Sequence, residues 1–154
     1  MGVFTKRVLF ADLLRHATAE VDAVIDTGSS LCLVPENLAQ LLGLELVGMG
    51  NFTLADGSTV VFPIAGLRVE LEGKVGFITT AVVPNPAEPI LGALALEALG
   101  LGVEPGTEKL IPEVIRLLTM TGWRTEYAKR RHTAHVLALT VEEVNDFADP
   151  NYSR

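Results

Sequence analysis

The stretch Val24-Ile25-Asp26-Thr27-Gly28-Ser29-Ser30 is where this chain could do chemistry. Two apolar residues deliver a carboxylate to the end of a predicted strand. A small hydroxyl residue and a glycine then turn the chain away. A carboxyl group held in this way can give or take a proton. One aspartate cannot be both acid and base in a single hydrolysis, and Asp-Thr-Gly occurs only once. The second carboxylate must therefore come from another chain.

A pair of carboxyl groups at close range cannot both ionise easily, so they share one proton, and the two apparent pKa values belong to the pair. Such a pair can activate a water and protonate a leaving group. Gly28 permits a turn that a Cβ would hinder and lets backbone amides approach the carboxylate. The Thr27 hydroxyl can bond across to a partner copy. A cover must keep bulk water out. The hairpin predicted over Phe52–Phe62 is a candidate cover, with a pliable tip at Asp56-Gly57.

The elements that must position these residues are mostly strands. Val3–Phe10 and Val21–Asp26 are rich in Val, Ile, Leu and Phe, and Leu31–Val34 follows the turn. Pro35 sits where a first helical residue would, Leu38, Leu41 and Leu42 have helical spacing, and Gly43 closes the segment. Phe52–Ala55 and Ser58–Phe62 flank Asp56-Gly57, which supplies the positive φ angles of a two-residue turn. Leu67–Leu71 alternates apolar and polar, Glu72-Gly73-Lys74 turns it back into Val75–Val83, and Pro84-Asn85-Pro86 ends that strand. Ile90-Leu91-Gly92 precedes a short helix over Ala93–Leu99 with glycine at each end. Leu101–Glu104 and Lys109–Ile111 are two further short strands. Seven or more strands, two short helices and no βαβ alternation give an all-β fold with minor helix, closed or sandwiched.

Taken in order, these elements resemble the retropepsin-like aspartic proteases, in particular the small single-lobed kind found in bacteria and archaea. Val-Ile-Asp-Thr-Gly-Ser-Ser matches the family's apolar-apolar-Asp-Thr/Ser-Gly-Ala/Ser. Ile90-Leu91-Gly92 matches its later apolar-apolar-Gly, which packs beneath the catalytic loop. Asp56-Gly57 lies about midway, where the family's flap lies. The match covers roughly residues 1–112. It implies a closed acid-protease half-lobe with a flap hairpin, and a homodimeric endopeptidase acting on protein or peptide substrates. It also implies Asp26, Thr27 and Gly28 as the catalytic triplet, with Ser29, Ala55, Asp56, Gly57 and Ser58 against the substrate. No metal or organic cofactor is needed. Viral members carry an Asp two places after the motif glycine and an Arg just after the later one. Ser30 and Ala93 stand there, so that dimer brace is absent. A competing reading keeps the fold as a catalytically inactive peptide-binding or scaffold module.

Composition sets the outer bounds. The chain has 154 residues, enough for one ordinary domain with a tail. The formal net charge is −7, which argues against nucleic acid as the main partner. The imbalance sits in residues 1–111, with six Lys+Arg against thirteen Asp+Glu, whereas residues 112–154 hold six of each. No apolar run is long enough to span a membrane. Met1–Arg7 is followed by too short an apolar stretch for a signal peptide, so a cytoplasmic protein is expected. Cys32 is the only cysteine and, with no His near it in sequence, reads as a buried strand residue rather than a nucleophile.

From residue 113 the character changes to an extension, helical or disordered. Trp123 and Tyr127 read as a packing patch, Lys129-Arg130-Arg131 as a solvated basic run, and Glu142, Glu143 and Asp146 as a solvated helix face after a Thr140 capping box. His132 and His135 lack a nearby carboxylate or cysteine, so they read as solvated rather than as metal ligands.

Overall fold

The computed structural model describes residues 3–114. Among them, nine strands and two short helices follow one another. They are β1 (Val3–Ala11), β2 (Thr18–Asp26), β3 (Cys32–Pro35), α1 (Glu36–Leu41), β4 (Leu46–Thr53), β5 (Thr59–Leu71), β6 (Lys74–Val83), β7 (Ile90–Leu91), α2 (Ala93–Leu99), β8 (Leu101–Glu104) and β9 (Lys109–Pro112). The expected all-β class with minor helix is what the chain adopts. The expectations for Trp123, Tyr127, the 129–131 basic run, His132, His135 and the acidic residues from Glu142 onward lie outside the described residues. No helix among the described residues is long and apolar enough to cross a membrane.

Seven strands form one sheet in the order β1-β2-β7-β3-β6-β5-β4. β1 runs antiparallel to β2 along its whole length, then pairs a second time, Leu9–Ala11 against Arg68–Glu70 of β5. That second pairing closes six of the strands into a ring and leaves β4 outside it, on β5 alone. β8 and β9 form a separate two-stranded sheet.

Over much of β1, β2 and β5 the side chains alternate with period two between the inside of the ring and its outside. Val8 and Phe10 of β1, Ala23 and Ile25 of β2, and Ala65, Leu67, Val69 and Leu71 of β5 all turn inward and are buried. Each large apolar side chain so buried contributes roughly 1.5–3 kcal/mol. The other face carries charge. Arg7 bonds Asp22 at 3.2 Å, and Arg15 and Arg68 both reach Glu70, at 2.9 and 3.0 Å. These arginines hold the Glu70 carboxyl below its usual range. Arg68 and Glu70 are half-buried, whereas Arg7 and Asp22 are exposed, and an exposed pair such as theirs adds little stability.

Three local expectations are corrected. Leu67–Leu71 is not a strand of its own but the inner half of β5, which runs unbroken from the hairpin. Pro63 does not end it because Pro63 faces only edge strand β4, opposite Met49, while pairing with β6 begins at Ile64. At most one ladder bond is forfeited. Pro35 is the last residue of β3 and the N-cap of α1 rather than its first helical residue. Leu38 of α1 and Leu42, which caps its C-terminus, are buried, but Leu41 is 68% exposed.

Glu72 and Gly73 make the two-residue hairpin joining β5 to β6, both with positive φ, 51° and 75°. Glutamate at such an angle is strained by its Cβ. Replacing Glu72 with Asn, which tolerates this region, should raise unfolding stability by about 0.5–1 kcal/mol. Urea denaturation followed by circular dichroism would register the shift.

Candidate active site

β2 carries Asp26 to the rim of the ring. The strand that steadies it is the shortest, β7. It lies between β2 and β3, parallel to β2 (Val24 opposite Ile90, Ile25 opposite Leu91) and antiparallel to β3 (Leu33 opposite Ile90). The Val24 amide also donates to Pro89 O at 2.9 Å. The strands entering and leaving the turn are thus wedged apart by a third, and Ile25 and Leu91, both fully buried, fix its depth.

Within the turn, Asp26 is half-buried, whereas Thr27 and Gly28 are exposed. The Gly28 amide donates to Asp26 Oδ1 at 2.8 Å and so orients the carboxylate. Asp26 Oδ2 makes no hydrogen bond among the described residues. The Ser29 amide donates to Asp26 O at 3.2 Å, and Ser29 Oγ donates to Leu31 O at 2.8 Å. Ser29 therefore shapes the turn with its own side chain.

The start of α2 holds this turn from beneath. Amides in the first turn of a helix have no partner within the helix. Here Ala93 N donates to Ser29 O at 2.8 Å and Leu94 N to Ser30 O at 3.1 Å. Gly92 has no room for a side chain: a Cβ would lie 2.3 Å from Leu31 O and 2.7 Å from Ser29 O. Helix and turn meet backbone against backbone. Cys32, just beyond the turn, is buried, and its thiol is pushed up to about 12 by desolvation, opposed only in part by the Gly92 backbone. It stays a protonated thiol, as expected of a buried strand cysteine.

The other predicted site residues lie at the tip of the β4–β5 hairpin, which is not the expected two-residue turn. Thr53 pairs with Thr59, Leu54 N donates to Ser58 O at 2.8 Å, and Gly57 N donates to Leu54 O at 2.9 Å. Only Gly57 has positive φ, at 84°. Ala55-Asp56-Gly57 is therefore a three-residue loop with a glycine bulge. Asp56 Oδ1 accepts the Ser58 hydroxyl at 2.6 Å and the Ser58 amide at 2.9 Å. These two bonds, the hydroxyl first, lower its carboxyl pKa. They also favour the right-handed conformation at Asp56. Ala55, Asp56, Gly57 and Ser58 are all exposed. Below the tip, Phe52 and Phe62 stack with centroids 6.3 Å apart, and Gly50 leaves space for the Phe52 ring.

The structure thus gathers Asp26, Thr27, Gly28 and Ser29 into one turn and residues 55–58 into a second loop. No hydrogen bond among the described residues joins the two. A cavity of about 310 Å³ between Arg7, Glu20, Glu70 and Lys74 shares no residue with either. Sequence reasoning did not find the amides of Ala93 and Leu94, because backbone donors leave no trace in side-chain identity. Nor did it single out Thr80, whose Oγ1 donates to Cys32 O.

The family profile described as aspartyl protease matches residues 15–103, a span that includes the turn, the hairpin and Ile90-Leu91-Gly92. The chain belongs to the aspartyl protease family. The resemblance to retropepsin-like proteases read from the sequence stands with it. No curated protein matches the chain. Among solved structures, the chain is similar to the retroviral protease-like domain of Ddi1 from Leishmania major. Identity is 17% over 75% of this chain and 90% of that one, at a TM-score of 0.47. It is also similar to a retropepsin-like aspartic protease from Rickettsia conorii, at 16% identity over 73% and 94% of the two chains and a TM-score of 0.44. EIAV protease complexed with the inhibitor HBY-793 is 16% identical over 64% and 89%, at 0.47.

Gly92→Ala should cost this family member about 2–3 kcal/mol, the upper range for a side chain forced into packed surroundings. Denaturant unfolding would measure it. The neighbouring Ala93→Ser, on a half-buried position outside the close contact, should stay within about 0.5 kcal/mol of wild type.

Proposed function

We propose that this chain is an aspartic endopeptidase that works as a homodimer, the Asp26 carboxyls of two copies forming the catalytic pair. One observation carries this reading. A single half-buried Asp26, oriented by the Gly28 amide, ends β2 within the stretch matched by the aspartyl protease family.

In this reading residues 1–112 are the catalytic domain and 113–154 an extension. One Asp26 of the pair is ionised and takes a proton from a water. The other is protonated and donates to the oxygen of the substrate carbonyl. The water oxygen bonds to the carbonyl carbon and gives a tetrahedral intermediate with no acyl-enzyme. The Asp26 that took the water proton passes it to the amide nitrogen, the other takes back the proton it gave to the carbonyl oxygen as the carbon–nitrogen bond breaks, and the pair returns to one shared proton. Thr27 ties the two turns together. Gly28 and Ser29 line the floor of the substrate cleft. The tip Ala55–Ser58 closes over an extended substrate, which pairs with it as an added strand. A reducing, cytoplasmic compartment suits the single thiol.

Digestion of an unfolded protein mixture from about pH 3 to 8, with wild type and Asp26→Asn side by side, tests this. Peptides should come from wild type alone. Asp26→Asn should keep its fold and lose about a thousandfold or more in turnover. Equal cleavage by both proteins would refute the role of Asp26, and no cleavage by either would leave a peptide-binding module on this fold.

A further inference from the structure

Thr80 is the one buried polar side chain among the described residues, with an exposure of 0%. Nothing in the chemistry above uses it. It lies on β6 in parallel register with Cys32, the first residue of β3, and opposite Ala65 of β5. Valine has the same shape and would need no partner in this apolar setting. A buried hydroxyl is unfavourable there unless it is bonded. Thr80 Oγ1 donates to Cys32 O at 3.0 Å. Ala81 O lies at 3.3 Å, but a hydroxyl has one proton, and a contact to the next residue along the same strand joins nothing new. The bond to Cys32 is the one that crosses between strands.

We propose that Thr80 is a positioning residue for the Asp26 turn. Cys32 is where the chain leaves that turn. The residue before it, Leu31, accepts the Ser29 hydroxyl at 2.8 Å and lies against Gly92. The exit of the turn is therefore held from two sides. α2 holds it through the amides of Ala93 and Leu94. β6 holds it through the Thr80 hydroxyl. If the β6 side slackens, Leu31 and Ser29 shift, and the Gly28 amide loses its fixed direction toward Asp26 Oδ1. Small misplacements of a reacting group are costly in rate even when binding is untouched.

Two variants separate the hydroxyl from the shape. Thr80→Val keeps the shape and removes the donor, and Thr80→Ser keeps the donor. The first readout is amide hydrogen exchange, which needs no activity. Exchange at Gly28 and Ser29 should quicken about tenfold in Thr80→Val, while Val8 and Phe10 exchange as in wild type. Thr80→Ser should resemble wild type. The second readout rests on the proteolytic reading: kcat should fall about tenfold in Thr80→Val with KM unchanged, and Thr80→Ser should restore it. Wild-type exchange at Gly28 and Ser29 in Thr80→Val would overturn the proposal. So would a Thr80→Ser as impaired as Thr80→Val, or a Thr80→Val that does not fold, since both point to general stability. If wild type cleaves nothing, the proteolytic reading fails, and the exchange arm still decides the role of Thr80.

Discussion

The contact on which this structure depends is the one between Gly92 and the turn that follows Asp26. Two pieces of backbone meet there with no side chain between them. The contact lets the first amides of α2 reach Ser29 O and Ser30 O, satisfying donors that the helix itself cannot. In return the turn is held by a helix anchored in the core through Ala95, Leu96 and Leu99. The turn that carries the carboxylate is thereby tied to the helix at Ser29 and Ser30. Preorganisation of this kind is what acid–base chemistry asks of its scaffold.

The ring of strands serves the same end. β7 contributes only two residues, yet it separates β2 from β3 and sets the width of the gap that the turn spans. The second pairing of β1, with β5, ties the strand beside Asp26 to the strand that carries the hairpin. β5 then runs from a buried inner half, through Pro63, to an exposed outer half. Rigid core and projecting ribbon are one strand. The ribbon is stiffened by the Phe52–Phe62 stack and ends in a loop held by Asp56 and Ser58.

Much of this was legible in the sequence because it is written in side chains. Richness in Val, Ile, Leu and Phe marked β1 and β2, apolar–polar alternation marked Leu67–Leu71 of β5, glycine marked the ends of both helices, and Asp26-Thr27-Gly28 with Ile90-Leu91-Gly92 marked the turn and its support. What escaped depends on tertiary neighbours. Ser58–Phe62 and Leu67–Leu71 read as separate strands, but Pro63 faces only one neighbouring strand, so β5 runs through it unbroken. Asp56-Gly57 reads as a two-residue turn, but the Ser58 hydroxyl recruits Asp56 and only Gly57 takes the left-handed angle. Leu41 fits the helical spacing of a core residue, yet that side of a six-residue helix faces outward. The hydrogen bond from Thr80 to Cys32 joins residues far apart in sequence, and one chain carries no sign of it.

The central proposal is that one Asp26 per chain makes a site only when two chains meet. It is tested most directly by measuring mass and peptide cleavage on a single dilution series, repeated with excess Asp26→Asn mixed in. Specific activity should fall in step with the dimer fraction, and the Asn variant should suppress wild type by drawing it into mixed dimers. Constant specific activity from a species that sediments as a monomer, unaffected by the variant, would contradict the paired-carboxylate site.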